Sequence, residues 1–204
     1  PLTPIQLSAE RIIKNLQNNK NLPDDVIKEG ASTIVQEAGT IKSLVDEFSN
    51  FARMPNIRLQ PADMNDIINQ TIALFKDIYT DIVFDISFSN DLPSPVNVDP
   101  EQMKRVFINL IDNAIDAMNK KGSIKIATSF NRSDQNIHID ITDSGPGISD
   151  VDIDKLFVPH FSTKKKGNGL GLAIVNQIIS EHNGTINVEN NKPTGARFCI
   201  RIPT

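Results

Sequence analysis

The sequence predicts an α+β fold in two parts: an N-terminal antiparallel helical hairpin, then an α/β sandwich whose mixed sheet is covered on one face by helices. Three observations carry this. Apolar residues recur at heptad spacing as far as Ala52. Beyond about Asn56 the period changes, and segments that alternate apolar and polar residues begin. Those strand-like segments interleave irregularly with helical ones, and several follow one another directly, which favours a mixed sheet with helices on one side.

The hairpin comes first. Leu2, Ile5, Ala9, Ile12 and Leu16 form one apolar seam. The polar stretch NNKNLPDD interrupts it, and Asp24 and Asp25 after Pro23 suit a helix start. Ile27, Ile34, Ile41 and Phe48 then recur every seven residues, with Ala31, Ala38, Val45 and Ala52 four behind them. Pro55 is the expected stop. Two helices of this size hold too little core to stand alone. Two copies packed as a four-helix bundle would bury both seams, so a homodimer is expected; the alternative is a hairpin packed on its own C-terminal domain. The first helix has no cap, so the sequence is expected to begin inside a helix. Residues 1–55 are read as this hairpin and 56–204 as the second domain.

In the second domain, QPADMNDIINQTIALF reads as an amphipathic helix opened by Asp63 or Asn65, and DIVFDISF as a strand. Asp99-Pro100 opens a helix through Met118, closed near Lys121-Gly122. SIKIATSF and IHIDITD are strands, followed by the turn SGPGI and a short helix over Asp150–Leu156. A helix over Leu170–Glu181 precedes the closing strands TINVEN and ARFCIRI.

Composition narrows the function. A formal net charge of -4 argues against a general nucleic-acid binder. One cysteine, Cys199, excludes an intramolecular disulfide and a cysteine metal cluster, and fits a reducing compartment. No run of 18 apolar residues is present, so this stretch is not expected to touch a membrane.

Three motifs carry chemistry. Asn109 and Asn113 lie four apart on the helix from Pro100, hence on one face, as do Asp112 and Asp116. Asparagine is a weak helix former, and its amide oxygen is a neutral hard ligand suited to Mg²⁺. The bland alternative is a polar outer stripe. In DSGPGI, Asp143 at a strand end can accept from an exocyclic amine such as adenine's, and Gly145 and Gly147 permit close backbone approach. A plain turn fits this motif too. In STKKKGNGLGLAIV, Gly169 and Gly171 can turn backbone N–H groups toward phosphate oxygens where a helix begins at Leu170, and Lys164, Lys165 and Lys166 can add charge. A solvated basic loop is the plainer reading of each lysine.

The order and spacing of these motifs resemble the catalytic domain of sensor histidine kinases, in the wider family with DNA gyrase, the Hsp90 chaperones and MutL. Asn109 and Asn113 match its N box. Asp143, Gly145 and Gly147, running into Ile148, match the G1 box; Phe157 and Phe161 match the F box. Gly167, Gly169 and Gly171, with Leu170 and Leu172 between and after them, match the G2 box. PLTPIQLSAERI and VDPEQMKRVFINLIDNAIDAM are similar to the nitrogen-regulation, NtrY-like type.

The resemblance implies a Bergerat-type ATP-binding fold, ATP and Mg²⁺ as ligands, and Asp143 on the adenine. It places Asn113 on the metal with Asn109 close by, and residues 162–171 as a lid whose lysines cover the triphosphate, with Lys164 joining Asn109 at the reacting end. It implies a homodimer that passes phosphate through a histidine to a response-regulator receiver domain, in the cytoplasmic part of a bacterial inner-membrane sensor. Asn109 stands where hydrolysing relatives carry a glutamate; an amide cannot activate water, which favours transfer over hydrolysis.

Departures matter as well. The phosphoacceptor histidine of this type falls five residues before Pro1, so this stretch is expected to bind ATP without autophosphorylating. His138, His160 and His182 read as structural or solvated. Ala196 stands where many relatives carry a threonine beside the adenine, so that contact is not carried over; Asp116 stands where several have a basic residue near the phosphates, which shifts weight onto the lid lysines. The alternatives are a gyrase-type ATPase and a nucleotide-responsive dimeric docking module for a response regulator.

Overall fold

The computed structural model describes residues 2–17, 24–52, 57–162 and 169–204. The chain divides into two compact units, Pro1–Met54 and Pro55–Thr204.

In the first unit, α1 (Leu2–Gln17) and α2 (Asp24–Ala52) pack on each other. They meet at buried Gly30, where a Cβ would stand 2.8 Å from Ile12 Cδ1. From there the half-buried line of α2 runs through Thr33, Ile34, Glu37 and Ile41. The expected single seam is therefore split. Ile34 and Ile41 are half-buried, while Ile27, Ala31 and Ala38 face outward with Leu2, Leu7, Ile13 and Val35. A helix pair crossing at a glycine uses only one flank of a broad apolar stripe. The side chains of Leu16, Val45, Phe48 and Ala52, and the stop assigned to Pro55, lie outside the described residues.

The second unit opens with β1 (Gln60–Ala62), which pairs antiparallel with β3 (Val96–Val98). Both strands escape the sequence reading, which placed Gln60–Ala62 in the following helix; three-residue strands carry too little alternation to detect. Between them lie α3 (Met64–Lys76) and β2 (Ile82–Ser87). Asp63 caps α3 by accepting from Asp66 N, 3.0 Å away. Then come α4 (Pro100–Ala117), β4 (Gly122–Asn131), β5 (Asn136–Asp143) and α5 (Asp150–Ile153), the last three residues shorter than expected at its C-terminal end. The chain closes with α6 (Gly171–Glu181), β6 (Thr185–Asn190) and β7 (Ala196–Pro203).

Five strands form one mixed sheet in the order β2-β4-β5-β7-β6. Only β2 and β4 pair in parallel; the other three pairings are antiparallel. The strands alternate strictly, so one face is apolar: Ile124 and Ile126, Ile137, Ile139 and Ile141, then Phe198, Ile200 and Ile202. Helices α3, α4 and α6 supply the opposing apolar surface, with Phe107, Leu110 and Ile111 fully buried at the centre of α4. Burial of each such side chain is worth about 1.5–3 kcal/mol. The other face stays polar; Arg197 there bridges Asp140 and Glu189 at 2.8 and 2.9 Å.

One buried node fixes the start of α4. Asp99 Oδ1 accepts from the backbone N–H groups of Glu101 and Gln102, both at 3.1 Å, and Oδ2 accepts from Arg58 N at 2.9 Å. The backbone N–H of Asp99 itself donates to His182 Nε2 at 2.9 Å. That bond assigns the other ring proton to Nδ1, which donates to Ile178 O at 2.8 Å. Asp99 and Gln102 stand at capping-box spacing, in which the glutamine would reach back to the Asp99 N–H. His182 has taken that donor, and Gln102 Oε1 is buried without a hydrogen-bond partner among the described residues. The structural reading of His182 holds.

Candidate functional site

Helix α4 is the element on which the motifs converge. Its polar face carries half-buried Asn109 and Asn113, with Asp116 exposed a turn beyond. Asn109 donates through Nδ2 to Arg105 O at 2.8 Å, so its amide nitrogen is held within the helix. Its Oδ1 then faces the start of α6, where a Cβ on Gly171 would come within 2.8 Å of it. A side chain at that position would press on the tip of Asn109. At the far end of α4, a Cβ on Gly145 would meet Met118 Cγ at 3.4 Å and Ala117 Cβ at 3.6 Å. The one helix therefore touches both glycine motifs.

Asp143 ends β5 and points to the helix-covered face, in phase with Ile137, Ile139 and Ile141. It is 7% exposed. Its Oδ1 accepts from Gly145 N at 2.8 Å and from Ala196 N at 3.2 Å. Among the described residues no N–H or O–H is bonded to Oδ2. Burial pushes this carboxyl above its ordinary range, and the two backbone N–H bonds only partly oppose that. The result is a positioned carboxylate with one oxygen committed to the fold. Ala196 supports it through its backbone N–H.

The glycines around Asp143 are set by contacts. Gly195 has φ +108, and a Cβ there would overlap the Asp143 carbonyl oxygen. Gly147 has φ +81, and a Cβ would stand 2.8 Å from Asn190 Oδ1 and 3.2 Å from Gly195 O. Both positions lie in the region that disfavours side chains. Ile148 is gripped through its backbone by the Asn190 carboxamide. Asn190 is absent from the sequence-predicted set; nothing in the local pattern of TINVEN marks its partner.

Phe157 and Phe161 are half-buried in the segment after α5. The backbone there closes on the third motif: His160 N donates to Gly169 O at 2.9 Å, and a Cβ on Gly169 (φ +66) would clash with the Phe161 backbone. Leu170 is buried and precedes the first turn of α6, the helix end that favours an anion. Leu172, on that first turn, is half-buried. Lys164, Lys165, Lys166 and Gly167 lie outside the described residues. Among the described residues no group of three or more His, Cys, Asp or Glu side chains could hold a metal ion. A cavity of about 710 Å³ opens beside Val83, Asp85, Lys125 and Thr142, and its lining reaches Asp143 and Ser144 at the start of the DSGPGI turn.

Residues 98–204 match the family described as histidine kinase-, DNA gyrase B-, and HSP90-like ATPase. Nitrogen regulation protein NtrY of Azorhizobium caulinodans is 36% identical over 207 residues, covering 99% of this chain and 26% of that protein. The catalytic domain of histidine kinase ThkA is 35% identical with a TM-score of 0.65, over 72% of this chain and 95% of that one. ThkA in complex with the response regulator protein TrrA gives a TM-score of 0.73 at 27% identity, over 98% of this chain and 57% of that one. The chain thus spans about a quarter of its NtrY relative.

Proposed function

This chain belongs to the histidine kinase-, DNA gyrase B-, and HSP90-like ATPase family, and we propose that it is the ATP-binding and phosphotransfer core of a two-component sensor histidine kinase. The observation that carries this is the buried Asp143, fixed through Oδ1 at the end of β5, with glycines on both sides and α4 against the turn.

The residues fit ATP·Mg²⁺. Asp143 Oδ2 would accept from the adenine amine. Gly145 and Gly147 keep the turn bare so that backbone can close on the base. The N-terminus of α6, opened by Gly169 and Gly171, would meet phosphate oxygens with N–H groups. Mg²⁺ would be held by one protein oxygen, from Asn113, and otherwise by phosphates and water. The nucleotide supplies the γ-phosphoryl group. The chain's own contribution is positioning and charge neutralisation. Asn109, with its amide nitrogen bonded within α4, offers no base for water, so transfer to a histidine is favoured over hydrolysis. Lys164, Lys165, Lys166 and Gly167 would complete the cover over the triphosphate, and Asp116 would border it.

The outward apolar residues of the hairpin, among them Leu2 at 72% and Val35 at 71% exposure, support a homodimer. The proposed place of this core is the cytoplasmic portion of an anchored sensor; no helix among the described residues is long and apolar enough to cross a membrane. A response-regulator receiver domain is the proposed phosphate acceptor downstream of the histidine.

The test is phosphotransfer. The chain is incubated with labelled ATP, Mg²⁺ and a separately supplied hairpin containing an acceptor histidine. Label on that histidine is expected, with little free phosphate. Rapid phosphate release without label would instead favour the hydrolysing branch of the family.

A further inference from the structure

Asn190 is the last residue of β6, the edge strand of the sheet, and its side chain is exposed. An exposed asparagine there needs no partner, yet this one makes two. Its Oδ1 accepts from Ile148 N at 2.7 Å and its Nδ2 donates to Ile148 O at 2.7 Å. Both distances sit at the short end for N–H···O bonds. One carboxamide thus satisfies both backbone groups of a residue 42 positions away, as a neighbouring strand would.

The consequence lies in what the bonds flank. The turn Asp143–Ile148 is held at its start by Ala196 N on the Asp143 carboxylate. It is held at its end by Asn190. Both anchors belong to the β6–β7 hairpin, whose tip is closed by Asn191 N donating to Gly195 O at 2.8 Å. The intervening Gly145-Pro146-Gly147 is spanned between these two points, and Gly147 packs against Asn190 Oδ1 itself.

We propose that Asn190 is a positioning residue for nucleotide binding: its carboxamide holds the Gly147–Ile148 backbone in the conformation that receives the adenine base. This rests on reading Asp143 as the adenine contact. Asn190 lies at the rim of the sheet rather than in the core, so its loss should loosen the turn and leave the fold intact. Asp143 would keep both its bonds, so the base would still find its carboxylate but not an ordered wall beside it.

The experiment compares the whole chain with Asn190→Ala and with Asn187→Ala, an exposed residue on the same edge strand. ATP·Mg²⁺ affinity is measured by calorimetry, amide exchange at Ile148 by NMR without nucleotide, and the melting temperature by circular dichroism. Asn190→Ala should speed Ile148 exchange and weaken ATP binding about tenfold, the expected effect of two side chain–backbone bonds. Its melting temperature should stay close to that of the parent chain, and Asn187→Ala should change nothing. Parent-like affinity in Asn190→Ala would overturn the inference and leave the nucleotide site standing. A large fall in melting temperature would overturn it too, by making the residue merely structural. Failure of the unaltered chain to bind ATP would overturn the underlying reading, whereas fast Ile148 exchange in that chain would overturn the clamp alone.

Discussion

Asp143→Asn separates fold from function at a single atom. The amide keeps an oxygen where Oδ1 accepts from Gly145 and Ala196, and it places an NH₂ where Oδ2 stood. It also removes a charge that burial disfavours. A buried carboxyl with a raised pKa stabilises the fold below its unfolded value, where it is protonated in both states. That contribution is lost as the pH rises through the folded value, because the buried group must then ionise. At pH 7 the variant should therefore be as stable as the parent or more so. Its advantage should shrink as the pH falls from neutral through the raised Asp143 value toward the ordinary carboxylate range. Binding should move the opposite way. An NH₂ facing the adenine amine replaces acceptor with donor. Loss of a bond to a charged group, at about 1.5–3 kcal/mol, corresponds to about 10- to 150-fold in Kd. Calorimetry with ATP·Mg²⁺ and chemical denaturation at pH 7 and pH 5 measure both halves. Parent-like ATP affinity would refute the adenine assignment. A stability loss above about 2 kcal/mol at pH 7 would refute the claim that the ionised carboxylate is a net burden on the fold.

Three further outcomes follow from the same contacts. Gly195→Ala forces a Cβ onto the Asp143 carbonyl at φ +108, where only backbone could yield; denaturant titration should show a loss of about 3 kcal/mol or more. Gly171→Ala meets only the tip of Asn109, so its cost should be near 1 kcal/mol, and Asn109→Ala in the same chain should recover much of it in thermal melts. His182→Ala frees the Asp99 N–H, for which capping-box spacing makes Gln102 Oε1 the expected substitute acceptor. Adding Gln102→Leu removes that substitute, so the double variant should be less stable than the sum of the singles by about 1 kcal/mol in a denaturation cycle.

Local chemistry made most of the second unit legible. Strict alternation in IHIDITD gave β5 and its buried face, and Asp99-Pro100 gave the start of α4. Singly, Asp143, Gly145, Gly147, Gly169 and Gly171 fit a plain turn or loop; their order and spacing along the chain made them legible. What stayed hidden depends on partners far along the chain. Asn190 grips Ile148 across 42 residues, and His182 reaches Asp99 across 83. The same limit explains the hairpin seam. Heptad spacing identifies an apolar stripe, but which flank of it meets α1 is decided by where Gly30 lets Ile12 approach.

These long-range bonds also explain why the motifs can be so rich in glycine and still be ordered. Glycine pays the most conformational entropy on folding, so a turn such as Asp143–Ile148 would be loose if it relied on its own residues. Here the order comes from outside: Ala196 and Asn190 from the β6–β7 hairpin, Met118 and Ala117 from the end of α4. The start of α6 is constrained likewise, by Asn109 from the middle of α4 and by His160 on Gly169. Glycine keeps the proposed binding surface free of side chains, and the surrounding helices and strands supply the rigidity it lacks. A substitution that leaves every motif residue in place, Asn190→Ala, is therefore expected to weaken nucleotide binding.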